Sequence, residues 1–408
     1  MTSGIERLRR ELLPGTLEHA ATHVPYYRRR WGSKWKRVKR PDDLHLLPLL
    51  TKDEAIAHQR ELLAGRQRAY GGTISSGTMH GEKPPLRVLH TADEARALDD
   101  FRRRHAGPPG AHRPLPGFVL EVRAMHHGMP EGPPAPGRVR VPWTYTANAL
   151  RLIRELLAAP QADGSRAMAM NIGAGALMAL TAWLTERGDD PKDFRLQEIS
   201  TYGFRLSPRW RAHVERVWRT RIWDNFSLSE LKTPAVECSA CGWFHWLEPP
   251  LVFEVVDHAL VLTGLFPFVQ AMPLVRYTTG DCVELGPRCR AVGDRGFRFR
   301  GRMRQCVFDA RGKLVVSAQD VQDFLEDQPL VAREPHPCNL LGLVKSPDIG
   351  SVKFELDVAK RRARVELRCD PLLFPETRRA FEPWFTRHKL QLQLVGPGTL
   401  AKPASKLA

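Results

Sequence analysis

Apolar positions along this chain change their spacing several times, and the changes mark out elements. From Thr146 to Leu157 they recur at helical intervals and predict a helix. The run Ala167–Leu184 carries no charge and approaches the length needed to cross a bilayer. Asn171, Gly173, Gly175 and Thr181 interrupt it, however. It divides more naturally into a buried strand over Ala167–Met170, a glycine turn, and a helix from Ala174 to about Glu186, which Arg187-Gly188 stops. No membrane span is therefore expected. Phe194 to Gly203 and Pro208 to Val217 read as strand, turn and helix. Such alternation predicts an α/β sheet.

Residues 1–70 look helical and basic, with Val24 to Trp31 (VPYYRRRW) as an aromatic anchor, and a helix start is expected near Lys52-Asp53-Glu54. Residues 106–142 are rich in Pro and Gly and predict a long loop or a reduced sheet region. After Gly301 the pattern shortens. Gln305–Phe308 and Lys313–Val316 form a hairpin pattern around Ala310-Arg311-Gly312. A helix over Ala318–Glu326, paired strands at Val352–Leu356 and Ala363–Leu367, a helix over Pro375–His388 and a last strand at Leu390–Val395 complete it. The expected organisation is a large domain over residues 1–301 and a small, mobile α+β domain over 302–408, joined by a hinge.

Size and composition agree with two globular bodies: 408 residues, of which 42% are hydrophobic. The net charge of +17 suits either an Arg-rich background or attraction to anions such as nucleotides, coenzyme A or an acidic carrier protein. No helix-turn-helix, zinc-finger or RNA-recognition pattern accompanies it, so nucleic acid is not the expected partner. Seven scattered cysteines, and a start (MTSGIERLRRELL) without an apolar core segment, point to a reducing cytoplasm with thiols free or bound to metal.

The chemistry lies in six short segments that occur in a fixed order. They are Ser75-Ser76-Gly77-Thr78, Asp224 to Glu230 (DNFSLSE), Arg276 to Asp281 (RYTTGD), Gly301-Arg302, Asp309 to Gly312, and a tail lysine after Gly398-Thr399-Leu400. A loop of glycines and hydroxyls brings N–H and O–H donors close to phosphate oxygens. An acidic residue can hold magnesium, an aspartate can hold ribose hydroxyls, and a late lysine can neutralise charge on a carboxylate attacking ATP. Singly each segment is an ordinary turn or strand end. Together they read as carboxylate activation by adenylation.

In these segments the chain resembles the adenylate-forming superfamily, in particular its phenylacetate–CoA ligase-like branch. That branch carries a VPFYR-like start, SSGTTGxP, DxYGLSE, RYxTGD, GRxDD, an RG turn, and a tail GTL followed by lysine. The resemblance implies a large AMP-binding domain over 1–301. It makes Ser75, Ser76, Gly77, Thr78 and Gly81 the phosphate loop, and places Asp224 and Phe226 beside the nucleotide. Glu230 becomes the magnesium-side carboxylate, Asp281 the ribose ligand and Arg302 a further nucleotide contact. Lys406, six residues after Leu400, becomes the catalytic lysine, with Lys402 a nearby rival. The implied reaction joins ATP and a carboxylic acid, aryl or otherwise hydrophobic, into an acyl-adenylate. The acyl group then passes to coenzyme A or to the phosphopantetheine of an acyl carrier protein. A point ammonium suits the first step, and Mg2+ bridges the phosphates.

Several positions depart from the branch pattern. The loop is about two residues longer, with Met79 at its second threonine. Ser227 replaces a glycine, Arg304 an acidic hinge residue, and Arg205 a more usual glutamate. These changes keep two other readings open: an amide- or ester-forming relative, and a non-catalytic nucleotide-binding paralogue. His126-His127 falls where the resemblance places the acyl pocket, and also reads as a solvated loop pair.

Cys238-x2-Cys241-x3-His245, with Cys289 downstream, has a spacing that fits a tetrahedral zinc site. Some members of the resembled branch hold a structural zinc here. Cys238, His245 and Cys289 match their ligand positions, and Cys241 has to supply the fourth because Pro287 stands where the other cysteine would be. Cys282 is a less favoured substitute. Ordinary buried thiols with a hydrogen-bonded histidine are the simpler alternative.

Overall fold

The computed structural model of the chain describes residues 4–65, 71–74, 86–104, 117–124, 137–231, 233–246, 248 and 251–400. In chain order, the first stretch holds α1 (Gly4–His23), α2 (Pro25–Trp31), α3 (Lys52–Ala57), β1 (Gly71–Ile74), β2 (Arg87–His90) and α4 (Ala92–Arg104). A βα stretch follows: β3 (Phe118–Ala124), β4 (Arg138–Trp143), α5 (Ala147–Ala158), β5 (Ala167–Gly173), α6 (Ala174–Glu186), β6 (Glu198–Tyr202), α7 (Pro208–Trp218) and β7 (Ile222–Phe226). Next come β8 (Ala235–Glu237), β9 (Phe244–His245), β10 (Leu251–Val256), β11 (Ala259–Gly264), β12 (Tyr277–Arg288) and β13 (Arg295–Arg302). The last stretch has β14 (Cys306–Phe308), β15 (Leu314–Ser317), α8 (Ala318–Glu326), β16 (Arg333–Glu334), α9 (Pro337–Leu340), β17 (Ser351–Val352), β18 (Phe354–Asp357), β19 (Arg362–Glu366), α10 (Phe374–Arg387) and β20 (Gln391–Val395). No helix among the described residues is long and apolar enough to cross a membrane.

Two compact units result. The first combines residues 1–113 with 226–303, the second 114–225 with 304–408. In the first unit, β10, β11, β12, β13, β9 and β8 lie side by side in antiparallel pairs. The aromatic anchor joins its N-terminal helices to this sheet. Tyr27 stacks on Trp31, and its hydroxyl donates to the Pro273 carbonyl while accepting from the Val275 N–H, both at 2.9 Å. Leu50 bridges to Tyr277 at the start of β12. That bridge, and a capping box between Thr51 and Glu54, fixes where α3 begins.

The second unit contains the predicted α/β sheet, with parallel strands in the order β7, β6, β5, β3, β4. Its residues alternate. Phe118, Leu120 and Val122 of β3 are buried in one core with α5, α6 and α7. Glu121 and Arg123 take the opposite face, as the pleat requires. The apolar run therefore divides much as its glycines predict: β5 ends at Gly173, α6 starts at Ala174, and α6 is buried nearly all round.

Residues 304–400 have their own core, where β15 and α8 meet the β18-β19-β20 sheet under α10. The segment between β16 and β17 leaves that core. Its Cys338, Val344 and Ile349 are buried instead among the residues around α6. The Glu186 carboxylate at the end of α6 accepts the N–H groups of Lys345 and Ser346 at 2.8–3.0 Å. Further links tie α8 to the start of α7: Arg205 to Asp323 at 2.8 Å, and Ser207 and Arg209 to Glu326. Arg205, one of the departures from the branch pattern, thus has an acidic partner in the same unit.

Candidate functional site

The RYTTGD segment begins with an arginine that builds rather than binds. Arg276 adopts φ 51, and its guanidinium is buried on Glu254, with Nε–Oε2 3.1 Å and Nη2–Oε1 2.9 Å. It also donates to the Leu47 carbonyl, and its N–H donates to Thr263 Oγ1 at 3.0 Å. A two-pronged guanidinium of this kind fixes orientation as well as charge. It holds the start of β12 in place, so that Tyr277 and Asp281 point where they do.

Tyr277 donates its hydroxyl to Glu230 Oε1 at 2.8 Å. Lys52, the first residue of α3, brings its Nζ to 3.3 Å from the same oxygen. Both charged side chains are nearly enclosed, at 11% and 7% exposed. Lys52 was not singled out from the sequence. Its only signal there is position, beside the Thr51 cap of a short helix, and nothing local predicts that the helix start faces β12.

Asp281 sits opposite Arg302 in the β12–β13 register, and Oδ1 meets Arg302 Nη1 at 2.8 Å. The aspartate is 1% exposed, and its Oδ2 is buried with no hydrogen-bond partner among the described residues. Burial pushes its carboxyl above the usual range, against the pull of Arg302. The first unit thus brings together Lys52, Glu230 and Tyr277, and pairs Asp281 with Arg302.

Other predicted residues lie elsewhere. Asp224 belongs to the second unit, where its Oδ1 accepts from Thr201 Oγ1 at 3.1 Å. Phe226 packs its ring against Phe297 and Phe299, at centroid distances of 5.3 and 5.6 Å, and edge-on to Trp246. Ser75, Ser76, Gly77, Thr78 and Gly81 lie outside the described residues, as do Met79, His126, His127, Lys402 and Lys406. The β1–β2 pair, which brackets residues 75–86, is described.

The four zinc candidates converge. Cys238, Cys241, His245 and Cys289 present ligand atoms all within 4.8 Å of one another. Cys238 Sγ lies 3.9 Å from Cys289 Sγ, and Cys241 Sγ 3.3 Å from His245 Nε2. Zinc–sulfur bonds of about 2.3 Å in a tetrahedron imply sulfur–sulfur edges of roughly 3.8 Å, so a zinc ion fits the spacing. Two turns of the same design deliver the cysteines. Gly242 N–H donates to the Cys238 carbonyl and Cys238 N–H to that of Trp243, at 2.8 and 2.9 Å. Gly293 N–H donates to the Cys289 carbonyl and Cys289 N–H to that of Asp294, both at 2.8 Å. Each turn passes through a left-handed glycine, with φ 67 and 74.

Burial lowers the His245 pKa, which keeps its ring neutral with a lone pair. Burial pushes the Cys241 thiol up to about 12. All seven cysteines are free of disulfides.

No protein-family model and no curated protein matches this sequence. Solved structures do. The chain superposes on 2-hydroxyisobutyryl-CoA ligase in an open conformation with 2-HIB-AMP and CoA, at TM-score 0.67 and 15% identity, covering 98% of this chain and 90% of that one. The same ligase in its postadenylation state with 2-HIB-AMP gives 0.61 at 16% identity, covering 98% and 88%. In its thioesterification state it gives 0.57 at 16% identity, covering 97% and 87%. Identity this low speaks for architecture alone. The chain has the fold of that ligase.

Proposed function

We propose that this protein is an ATP-dependent acid–thiol ligase that works through an acyl-adenylate. The observation that carries the reading is the pair Asp281–Arg302 beside the motif carboxylate Glu230. A buried acceptor without a partner is costly, and among the described residues Asp281 Oδ2 has none. A ribose hydroxyl donating to it would remove the penalty, which is the role the motif order assigns to this aspartate.

In the first half-reaction a substrate carboxylate oxygen attacks the α-phosphorus of ATP, the α–β anhydride bond breaks, and pyrophosphate leaves. Lys406 supplies the compact positive charge that stabilises this transfer. Arg302 is held by Asp281 at the nucleotide's edge. In the second half-reaction a thiol attacks the acyl carbonyl, AMP leaves, and the thiol proton passes to solvent. Coenzyme A is the favoured acceptor, because the structurally similar ligase is solved with it; a carrier-protein phosphopantetheine has the same reacting atom. The acid is proposed to be hydrophobic, with short branched hydroxy acids included on the strength of that ligase.

Glu230 is the residue to hold magnesium, which would neutralise phosphate charge. Tyr277 and Lys52 already occupy its Oε1, so a cation on this carboxylate would use Oε2. The four ligands at Cys238, Cys241, His245 and Cys289 are proposed to hold one structural zinc that joins the β8–β9 turn to the end of β12; four protein ligands leave no open position.

The test is ATP–pyrophosphate exchange over a panel of acids that includes 2-hydroxyisobutyrate, phenylacetate and benzoate. Coenzyme A is then added and its mass followed. Exchange that depends on one acid, and a thioester of that acid, support the reading. ATP binding with no exchange for any acid would leave a nucleotide-binding paralogue.

A further inference from the structure

Beyond the Glu230 cluster, another buried carboxylate has partners that no sequence motif explains. Glu366 ends β19 and is 2% exposed. It pairs in register with Val395, the end of β20. The chain then turns. Thr399 N–H donates to the Gly396 carbonyl, and Gly398 adopts φ 75, a left-handed conformation that glycine alone takes readily. This turn sends two N–H groups to one carboxylate: Gly398 N–H to Oε1 at 3.0 Å and Leu400 N–H to Oε2 at 2.8 Å. Lys353 Nζ also reaches Oε1, at 3.0 Å. The Leu400 side chain is itself buried, at 4% exposed.

Burial alone would raise this carboxyl's pKa. The N–H groups of Leu400 and Gly398 and the Lys353 ammonium more than reverse that and hold it below the usual range, so it is ionised at neutral pH. Hydrogen bonds to an ionised acceptor are roughly twice as strong as neutral ones. The pattern therefore commits a buried charge to two N–H groups at the end of the described chain. A carboxylate packed only to fill the core would not need them.

We propose that Glu366, held by Lys353, is a positioning residue that anchors Gly398 and Leu400 and so fixes the point from which the tail bearing Lys402 and Lys406 departs. This rests on, and deepens, the reading of Lys406 as the lysine of the first half-reaction. Six residues span at most roughly 20 Å, so a fixed departure point limits where the Lys406 ammonium is found. Confining a charged group near the reacting atoms is a large part of catalytic advantage.

The full-length protein, Glu366→Gln and Lys353→Met decide it by two readouts. The first is amide hydrogen exchange. Glu366→Gln should speed exchange at Gly398 and Leu400 at least about tenfold, and Lys353→Met by less, while Leu392 and Leu394 in β20 keep their protection. The second is ATP–pyrophosphate exchange with the acid that serves the wild type best. Glu366→Gln should lower kcat about tenfold with KM for ATP unchanged, and Glu366→Asp should restore part of it. A merely structural role would instead loosen β20 and raise KM. Unchanged protection at Gly398 and Leu400, or faster exchange there with kcat intact, overturns the proposal. If the wild type shows no pyrophosphate exchange with any acid, the ligase reading falls; protection of the two amides then judges the anchor alone, which stands if Glu366→Gln removes it and falls otherwise.

Discussion

Gly296 leaves the space that His245 occupies. A Cβ there would lie 2.7 Å from His245 Nε2 and 2.7 Å from Trp243 Cβ. Gly286 does the same for the Trp243 ring, at 2.6 Å. Gly296→Ala should therefore displace the imidazole from the three thiols. The purified variant is expected to carry less than half the zinc of the wild type by elemental analysis, and to lose about 1–3 kcal/mol of stability from overpacking. Wild-type zinc content in the variant would contradict that geometry. Lys52 makes the opposite kind of argument, from a charge. Removing one partner of a buried pair strands the other, at roughly 3 kcal/mol. Lys52→Met should cost about that much in urea unfolding, and adding Glu230→Gln should recover part of it, because the two residues are coupled. Additive losses would show that they are not. The Cys238, Cys241, His245 and Cys289 cluster was legible as residues, since C-x2-C-x3-H with a distant Cys carries its own spacing. Lys52 was not, because its meaning depends on Leu50 pairing with Tyr277 across the fold.

At the scale of elements, the polar face of the parallel sheet gathers charge onto the neighbouring strands β3 and β4. Glu121 of β3 is surrounded by Arg123, Arg138 and Arg140, at 3.3, 2.6 and 3.2 Å. Burial raises its carboxyl, and Arg138, Arg123 and Arg140 more than reverse this, leaving its pKa below the ordinary 4.5. A carboxyl depressed in the folded state stabilises the protein fully above its unfolded pKa. That stabilisation is lost as pH falls through the lower folded value. Thermal unfolding should thus show the wild type ahead of Glu121→Gln at pH 7, with the gap closing below pH 4.5; a gap that is constant from pH 7 to pH 3 would contradict it. Helices and strands with strong periodicity were readable in the sequence: the β5–α6 division at Gly173, α5, α7, α8 and α10 all fall within a few residues of expectation. The segment between β16 and β17 was not. Its Cys338, Val344 and Ile349 follow no helical or strand period, because they are anchored in a core built mainly from residues far earlier in the chain.

The whole molecule joins two levels of legibility. The order of the six motifs anticipated the fold; those among the described residues mark strand ends or turns, and the fold emerged although only 15–16% of residues match the similar ligase structures. A pairing was readable where two motif residues meet in register, as Asp281 does with Arg302. It was not readable where contacts cross between distant elements, as at Lys52 or Glu366. In the proposed reaction a nucleotide bound at Asp281 and Arg302 is attacked by a carboxylate under the charge of Lys406. The most direct measurement is acid-dependent ATP–pyrophosphate exchange in the wild type, Asp281→Asn and Lys406→Ala. Exchange with at least one acid, a raised KM for ATP in Asp281→Asn, and a loss of kcat of about a hundredfold or more in Lys406→Ala are expected. Exchange that survives unchanged in both variants, or none with any acid in the wild type, would contradict it.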